Sequence, residues 1–313
     1  MRYTFAISMT GWPMATSTNS PSDTCKAVTR KQSRAGQKIP PARDPHRYIN
    51  DLDPDAINRL IERLESRGKE RAFTRLFEKY LSRLHLSENA RVLEIGSGTG
   101  VITRLLARKT DKSIHVTGID HSSALVETAS QLTLQEKFEE RITYNVEDAH
   151  ALQSGSEFFD AVIVHTVISH VAEPATVLKE AYRVLKPNGT LAVFDGDYAS
   201  LTYAFDDAEA GRRMDWALAQ TVFSNPVVMR HMPQLLAGAG FELTETLADL
   251  VSEIGQGSYF RSMAETYAPL IVVAGLASKA DTDKWLKAQH EAIDQQRFFA
   301  SCNYYSFIAH RPG

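Results

Sequence analysis

The stretch Val92-Leu93-Glu94-Ile95-Gly96-Ser97-Gly98-Thr99-Gly100 constrains this chain more than any other. An apolar run passes through one acid and then carries glycine at every second position. The amphipathic pattern Val101-Ile102-Thr103-Arg104-Leu105-Leu106-Ala107 follows at once. Together they read as strand, tight turn and helix. Glycine suits the turn because the backbone must reverse sharply and approach a ligand closely. Free N–H groups at the helix start then face whatever polar group binds there.

The same rhythm continues. Short apolar strands are expected at 91–95, 114–119, 141–145, 159–165 and 190–195, with helical patterns near 99–109, 122–138 and 174–185. Strand-helix-strand repetition implies parallel pairing with helices on both faces. The expected fold class is therefore α/β, a doubly wound and mostly parallel sheet. Beyond Asp195 the pattern changes to helices near 207–222, 227–240, 258–277 and 281–296, with strands near 241–251 and 299–309. Upstream, Asp53-Pro54 makes a helix cap and first turn, and Ile57, Leu60, Ile61 and Leu64 share a face. Gly68 is expected to stop that helix. A second helix carries Phe73, Leu76, Phe77, Tyr80, Leu81 and Leu84 inward.

Residues 1–45 differ from the rest. They are rich in Ser, Thr, Pro, Lys and Arg, with Asp23 and Asp44 as their only acids. Without a hydrophobic period such a segment cannot offset its ordering entropy, so a disordered tail is expected. An organelle, in particular mitochondrial, presequence is the second reading, because those are also acid-poor and Arg- and Ser-containing. The remainder, 46–313, reads as a single domain. Within it, 48–86 form an N-terminal helical lid and 87–197 the binding core. Residues 198–297 add a helical cap, and 298–311 supply the last strand. A net charge of −3 shows no basic excess for nucleic acid. Cys25 and Cys302 cannot build a disulfide framework, which suits a reducing, cytoplasmic setting. The longest apolar run, 270–277, is too short to cross a bilayer. A small-molecule partner is expected, with neither nucleic acid nor membrane.

Ligands of open α/β sheets sit beyond the carboxyl ends of the strands. Those ends carry Gly96, Gly98 and Gly100, then Gly118-Ile119-Asp120-His121, then Asn145-Val146-Glu147-Asp148-Ala149, then His165-Thr166, then Asp195-Gly196-Asp197. An acid about 20 residues past a glycine turn can accept from both hydroxyls of a ribose. This ensemble resembles class I S-adenosylmethionine-dependent methyltransferases, through Val92–Gly100, Gly118–His121, Val146–Ala149 and Phe159–Val171. The run Val177 to Leu191, ending its helix in Lys186-Pro187-Asn188-Gly189, is similar to the ubiquinone/menaquinone-type small-molecule group.

The resemblance implies S-adenosyl-L-methionine as cofactor. Glu94 would hold the methionine ammonium, and Gly96, Ser97, Gly98 and Gly100 would let the ligand lie on backbone. Asp120 would take the ribose, with His121 beside the adenine. Asp148, or its neighbour Glu147, would accept from the adenine amine, with Ala149 donating from its backbone. His165 would meet the methionine end. The resemblance also implies that the N-terminal helices fold over the cofactor, so Tyr48, Arg67 or Arg71 is expected to approach its carboxylate. A last strand lying antiparallel at or near the sheet edge is implied as well. A nicotinamide enzyme is the rival for the glycine motif, but a carboxylate at Glu94 would repel its pyrophosphate and attract an ammonium.

Methyl transfer requires alignment of donor and acceptor and only sometimes a base. His165, His170 and Asp195 are the catalytic candidates; each also has a structural reading, as cofactor wall, helix-entry bond and turn cap respectively. No metal is expected, because the fourth strand ends in His165 rather than an acid. The expected activity is methylation of an O, N or C atom of a small molecule, natural-product or quinone-like. The alternatives are a cofactor-binding protein that does not methylate, and a protein or nucleic-acid methyltransferase.

Overall fold

The computed structural model describes Asp44 to Gly313. The tail and presequence readings concern residues outside that range, except Asp44 and Pro45, which are both buried. A short 3-10 turn, Ile49–Asp51, leads to α1 (Pro54–Lys69) and α2 (Arg71–Leu81). Asp53 caps α1 by accepting from Ala56 N at 2.8 Å. Gly68 lies inside the last turn of α1 rather than beyond it. Its use is proximity: a Cβ there would stand 2.4 Å from Val101 Cγ1.

The core then alternates: β1 (Arg91–Ile95), α3 (Val101–Lys109), β2 (His115–Asp120), α4 (Ser123–Gln135), β3 (Ile142–Val146), β4 (Phe159–His165), α5 (Pro174–Val184) and β5 (Leu185–Tyr203). Next come α6 (Ala208–Val222), α7 (Met232–Ala239), β6 (Glu242–Gly255), α8 (Tyr259–Val273), α9 (Lys279–Asp294) and β7 (Phe298–His310). All seven strands join one sheet in the order β3-β2-β1-β4-β5-β7-β6. Strands β1 to β5 run parallel, and β7 is antiparallel to both β5 and β6. The strand order reverses between β1 and β4, which is where an open α/β sheet leaves a crevice for a ligand.

β5 is far longer than the expected 190–195. Leu185 pairs with Phe159 and Thr190 with Ala161, so the Lys186–Gly189 turn is looped out as an irregularity within the strand. A second irregularity separates the pairs Asp197–Asn303 and Thr202–Ser301. It carries the Tyr198 ring, which stacks on Phe223 with centroids 3.4 Å apart.

Two apolar layers sandwich the sheet. One joins Phe77, Tyr80, Leu106, Leu218, Phe260 and Trp285, drawing α1, α2, α3, α6, α8 and α9 together. The other joins Val177, Leu178, Met232 and Leu236 of α5 and α7 to the opposite face. Among the described residues no helix is long and apolar enough to cross a membrane.

Candidate active site

A cavity of about 370 Å³ opens at the carboxyl ends of β1, β2, β3 and β4. Gly96, Ser97 and Gly98 border it, followed by Asp120 and His121, Glu147, Asp148 and Ala149, and His165 and His170. Arg67 reaches it from α1, and His46 and Arg47 cover it from the segment before the 3-10 turn. The turn at Gly96 has φ +70°, and a Cβ there would meet Val167 at 2.3 Å, so only glycine lets the two loops close on each other.

Glu94 lies inward of that turn, 2% exposed, with no hydrogen-bond partner for Oε2 among the described residues. Burial pushes its carboxyl well above the ordinary range. The Ser97 hydroxyl is likewise buried without a partner. Two such orphaned groups in one wall fit a cationic amine, which could donate to both. Further along, Asp120 accepts from Gly98 N at 2.9 Å and from Ser122 N at 3.0 Å. Its hydrogen bond raises the pKa of His121 above the ordinary imidazole value. The His121 carbonyl accepts from Asn50 Nδ2 at 3.1 Å, tying the N-terminal segment to this end of the cavity. Glu147 Oε2 accepts from Gln153 N at 3.0 Å. Asp148 is largely exposed and meets the His150 ring at 2.6 Å.

His165 sits between two side chains. Arg67 Nη2 lies 3.2 Å from Nε2, and Tyr80 Oη 2.9 Å from Nδ1. A guanidinium only donates, so Nε2 accepts and the proton is on Nδ1, given to Tyr80. Burial, then the Arg67 charge, drives its pKa well below the usual value. His165 is thus a neutral wall residue with its lone pair already engaged.

His170 is different. Its Nδ1 stands 2.9 Å from Asp44 Oδ2, and Nε2 has no hydrogen bond among the described residues. Asp44 also accepts from Ser224 N at 3.0 Å and Ser224 Oγ at 2.9 Å. Burial opposes both charges, yet each sustains the other: His170 is raised and Asp44 lowered relative to their ordinary values. His46 packs on the His170 ring at 4.6 Å and bonds Tyr267 Oη at 2.9 Å. Burial and the neighbouring cations depress it to about 3.

Four expected residues stand apart from the cavity wall. Gly100 is the N-cap of α3 with φ +78°, and a Cβ there would strike Tyr144 Oη at 2.2 Å; its glycine serves the turn and the packing. Tyr48 has the Arg47 guanidinium 5.2 Å above its ring, and Arg47 borders the cavity in its place. Asp195 is wholly buried behind the wall, accepting from Ser169 N at 3.0 Å, Gly196 N at 2.8 Å and Tyr198 Oη at 3.0 Å. Arg71, at the exposed start of α2, is also absent from the lining. Asp44 and His46 escaped sequence reasoning because they precede any periodic pattern. The one signal was that Asp44 is a rare acid in a basic segment.

The family profile described as "Methyltransferase domain" matches residues 86–248, just over half of the chain. The chain belongs to this methyltransferase domain family. An uncharacterised 37.1 kDa protein carried in a Streptomyces fradiae transposon is 31% identical over 202 residues, 64% of this chain and 56% of that protein. A ubiquinone/menaquinone biosynthesis C-methyltransferase of Geotalea daltonii is 30% identical over 141 residues, 45% of this chain and 57% of the relative. The chain thus spans under two thirds of the length of these relatives. A methyltransferase-like protein of Bacillus halodurans superposes over 76% of this chain and 99% of its own, with TM-score 0.54 and 19% identity; it shares the fold. S-adenosylmethionine is the cofactor of the domain, and the cavity suits it. Glu94 and Ser97 could accept from the methionine ammonium, Asp120 at the β2 end could accept from the ribose, and Arg67 could meet the carboxylate.

Proposed function

We propose that this chain moves the methyl group of S-adenosylmethionine to a hydroxyl oxygen of a small molecule, with His170 as general base and Asp44 as its positioning residue. The bound cofactor supplies an already activated methyl group, so the protein's work is alignment and removal of one proton. His170 fits that work because Asp44 holds Nδ1–H and leaves Nε2 uncommitted at the cavity wall. The observation carrying the reading is this buried pair, 2.9 Å apart, beside the cofactor cavity. A neutral imidazole is the active form, so kcat/KM should rise with pH through an apparent pKa above the ordinary histidine value.

A quinone-like ring is the second reading of the acceptor, favoured by the name of the Geotalea relative. There the same base would remove a phenolic proton before methylation at carbon. We also place the reaction in the cytoplasm, in keeping with the single buried thiol, Cys302, among the described residues.

Incubation with a labelled methyl donor and fractionated small-molecule extract tests transfer. His170→Ala should lower kcat by roughly 10²–10⁴-fold with cofactor binding unchanged, and Asp44→Asn by less. Full activity in His170→Ala would remove the base, and absence of any transfer beside intact cofactor binding would favour a non-methylating role.

A further inference from the structure

A second, smaller chamber of about 40 Å³ adjoins the cofactor cavity, the two sharing His46, Leu64, Arg67, Thr166 and His170 in their walls. Arg63 borders this inner chamber and not the larger one. It stands one turn before Arg67 on α1, so both guanidiniums project from the same face. Arg67 turns to His165 and Thr166 at the cofactor side. Arg63 turns to α8, where its guanidinium lies 4.8 Å from the Tyr267 ring centroid and 5.2 Å from that of Tyr259.

The polar edge of Arg63 is underused. Nη1 donates to Ser262 Oγ at 3.1 Å and the Tyr267 hydroxyl also meets the guanidinium, but Arg63 forms no ion pair with a carboxylate of the described residues. Stacking on aromatic rings compensates the faces of a guanidinium but not its five N–H donors. Arg63 is half-buried, and an anion entering the chamber would complete the hydrogen bonding of the donors left over. Ser262 anchors the guanidinium without bordering the chamber itself, whose wall mixes His46, Thr166 and Tyr267 with Val222, Phe223 and Met263. The space has room for on the order of a few waters, which matches a carboxylate better than a bulkier anion.

We propose that Arg63, held in place by Ser262, binds a carboxylate of the acceptor, making the substrate a hydroxy acid whose carboxylate enters the inner chamber while its hydroxyl faces His170. This rests on the methyl-transfer reading above and adds the substrate class to it. Two arginines then divide two anions: Arg67 takes the carboxylate of the cofactor and Arg63 that of the acceptor. A planar fork on a rigid helix is the arrangement that reads a carboxylate in two-point contact.

Calorimetry on the full chain saturated with S-adenosylhomocysteine tests this, with acetate, benzoate and the neutral benzyl alcohol as probes. At least one of the two carboxylates should bind saturably, and more tightly than benzyl alcohol. Arg63→Met should weaken that binding at least tenfold and Arg63→Lys less, while affinity for S-adenosylhomocysteine stays within twofold. Arg67→Met should do the reverse and weaken S-adenosylhomocysteine. The proposal fails if neither carboxylate binds, if Arg63→Met binds them as wild type does, or if Arg63→Met weakens S-adenosylhomocysteine instead. Wild-type protein that does not bind S-adenosylhomocysteine at all would overturn the cofactor reading beneath it, a separately visible result.

Discussion

At the scale of single residues, the site is a set of polar groups left unsatisfied or already spent. Glu94 is of the first kind and His165 of the second. The raised pKa of Glu94 makes it a cost to the empty protein. An unfolded glutamate ionises near its ordinary value, whereas the folded one resists. Stability is therefore fully present below that ordinary value and falls as pH rises toward the raised one. Glu94→Gln removes this decline. Thermal unfolding without ligand should show the variant more stable than wild type at pH 8 and little different at pH 4. The same change should weaken S-adenosylhomocysteine by one to two orders of magnitude, since hydrogen bonds to charged groups are worth roughly 1.5–3 kcal/mol. A variant that binds as tightly as wild type would remove Glu94 from the ammonium site. His165 leads to the opposite expectation. Its lone pair is taken by Arg67, so His165→Gln should leave the pH profile of kcat/KM in place even where it lowers the rate.

At the scale of elements, helix α1 matters most because it meets α2, α3, α8 and the end of β4 at once. Its cap, Asp53, fixes where it starts, and Gly68 lets its end lie against Val101 of α3. Gly68→Ala should force that contact apart at a cost of about 1–3 kcal/mol. Gly68→Ala with Val101→Ala should recover part of the loss, measured as the denaturation midpoint; no recovery would mean that Val101 is not the obstacle. Such a contact is hard to read from sequence, where Gly68 looks like a helix stop. The strands and helices of the core were legible because period 2 and period 3.6 are written in the apolar residues. The length of β5 was not, since Lys186-Pro187-Asn188-Gly189 carries turn chemistry yet is looped out inside a continuing ladder. The site divides in the same way. Residues at strand ends could be placed by counting and Glu94 by the resemblance, so Glu94, Asp120, Asp148 and His165 were expected at the cavity they border. Arg63 could not, because its meaning comes from α8, roughly 200 residues away.

At the scale of the whole molecule, the segment from Asp44 to Asp51 joins the loop after β4, the cap and the cofactor end. Asp44 binds His170 and Ser224, His46 binds Tyr267, and Asn50 binds His121. The cost of breaking this seam depends on pH in a way whose sign can be worked out. His46 has a folded pKa of about 3 against an ordinary 6.5, so between those values the unfolded chain holds a proton that the folded one refuses. Stability from this group is complete above 6.5 and declines as pH falls toward 3. His170 works in the other direction: its raised pKa adds stability below 6.5 that is lost as pH rises through the folded value. Asp44, lowered, adds stability above 3.8 that disappears only in stronger acid. Between pH 4 and 6 the His170–Asp44 pair is therefore intact in charge, and His46 drives acid loosening of the seam, joined by the similarly depressed His165. Replacing His46 by glutamine removes one proton from the balance, which should flatten stability against pH by about 1.4 kcal/mol per pH unit across that window. Chemical denaturation at half-unit pH steps measures it. An unchanged slope would mean that His46 takes up its proton in the folded protein, and the seam would then have to open by another route.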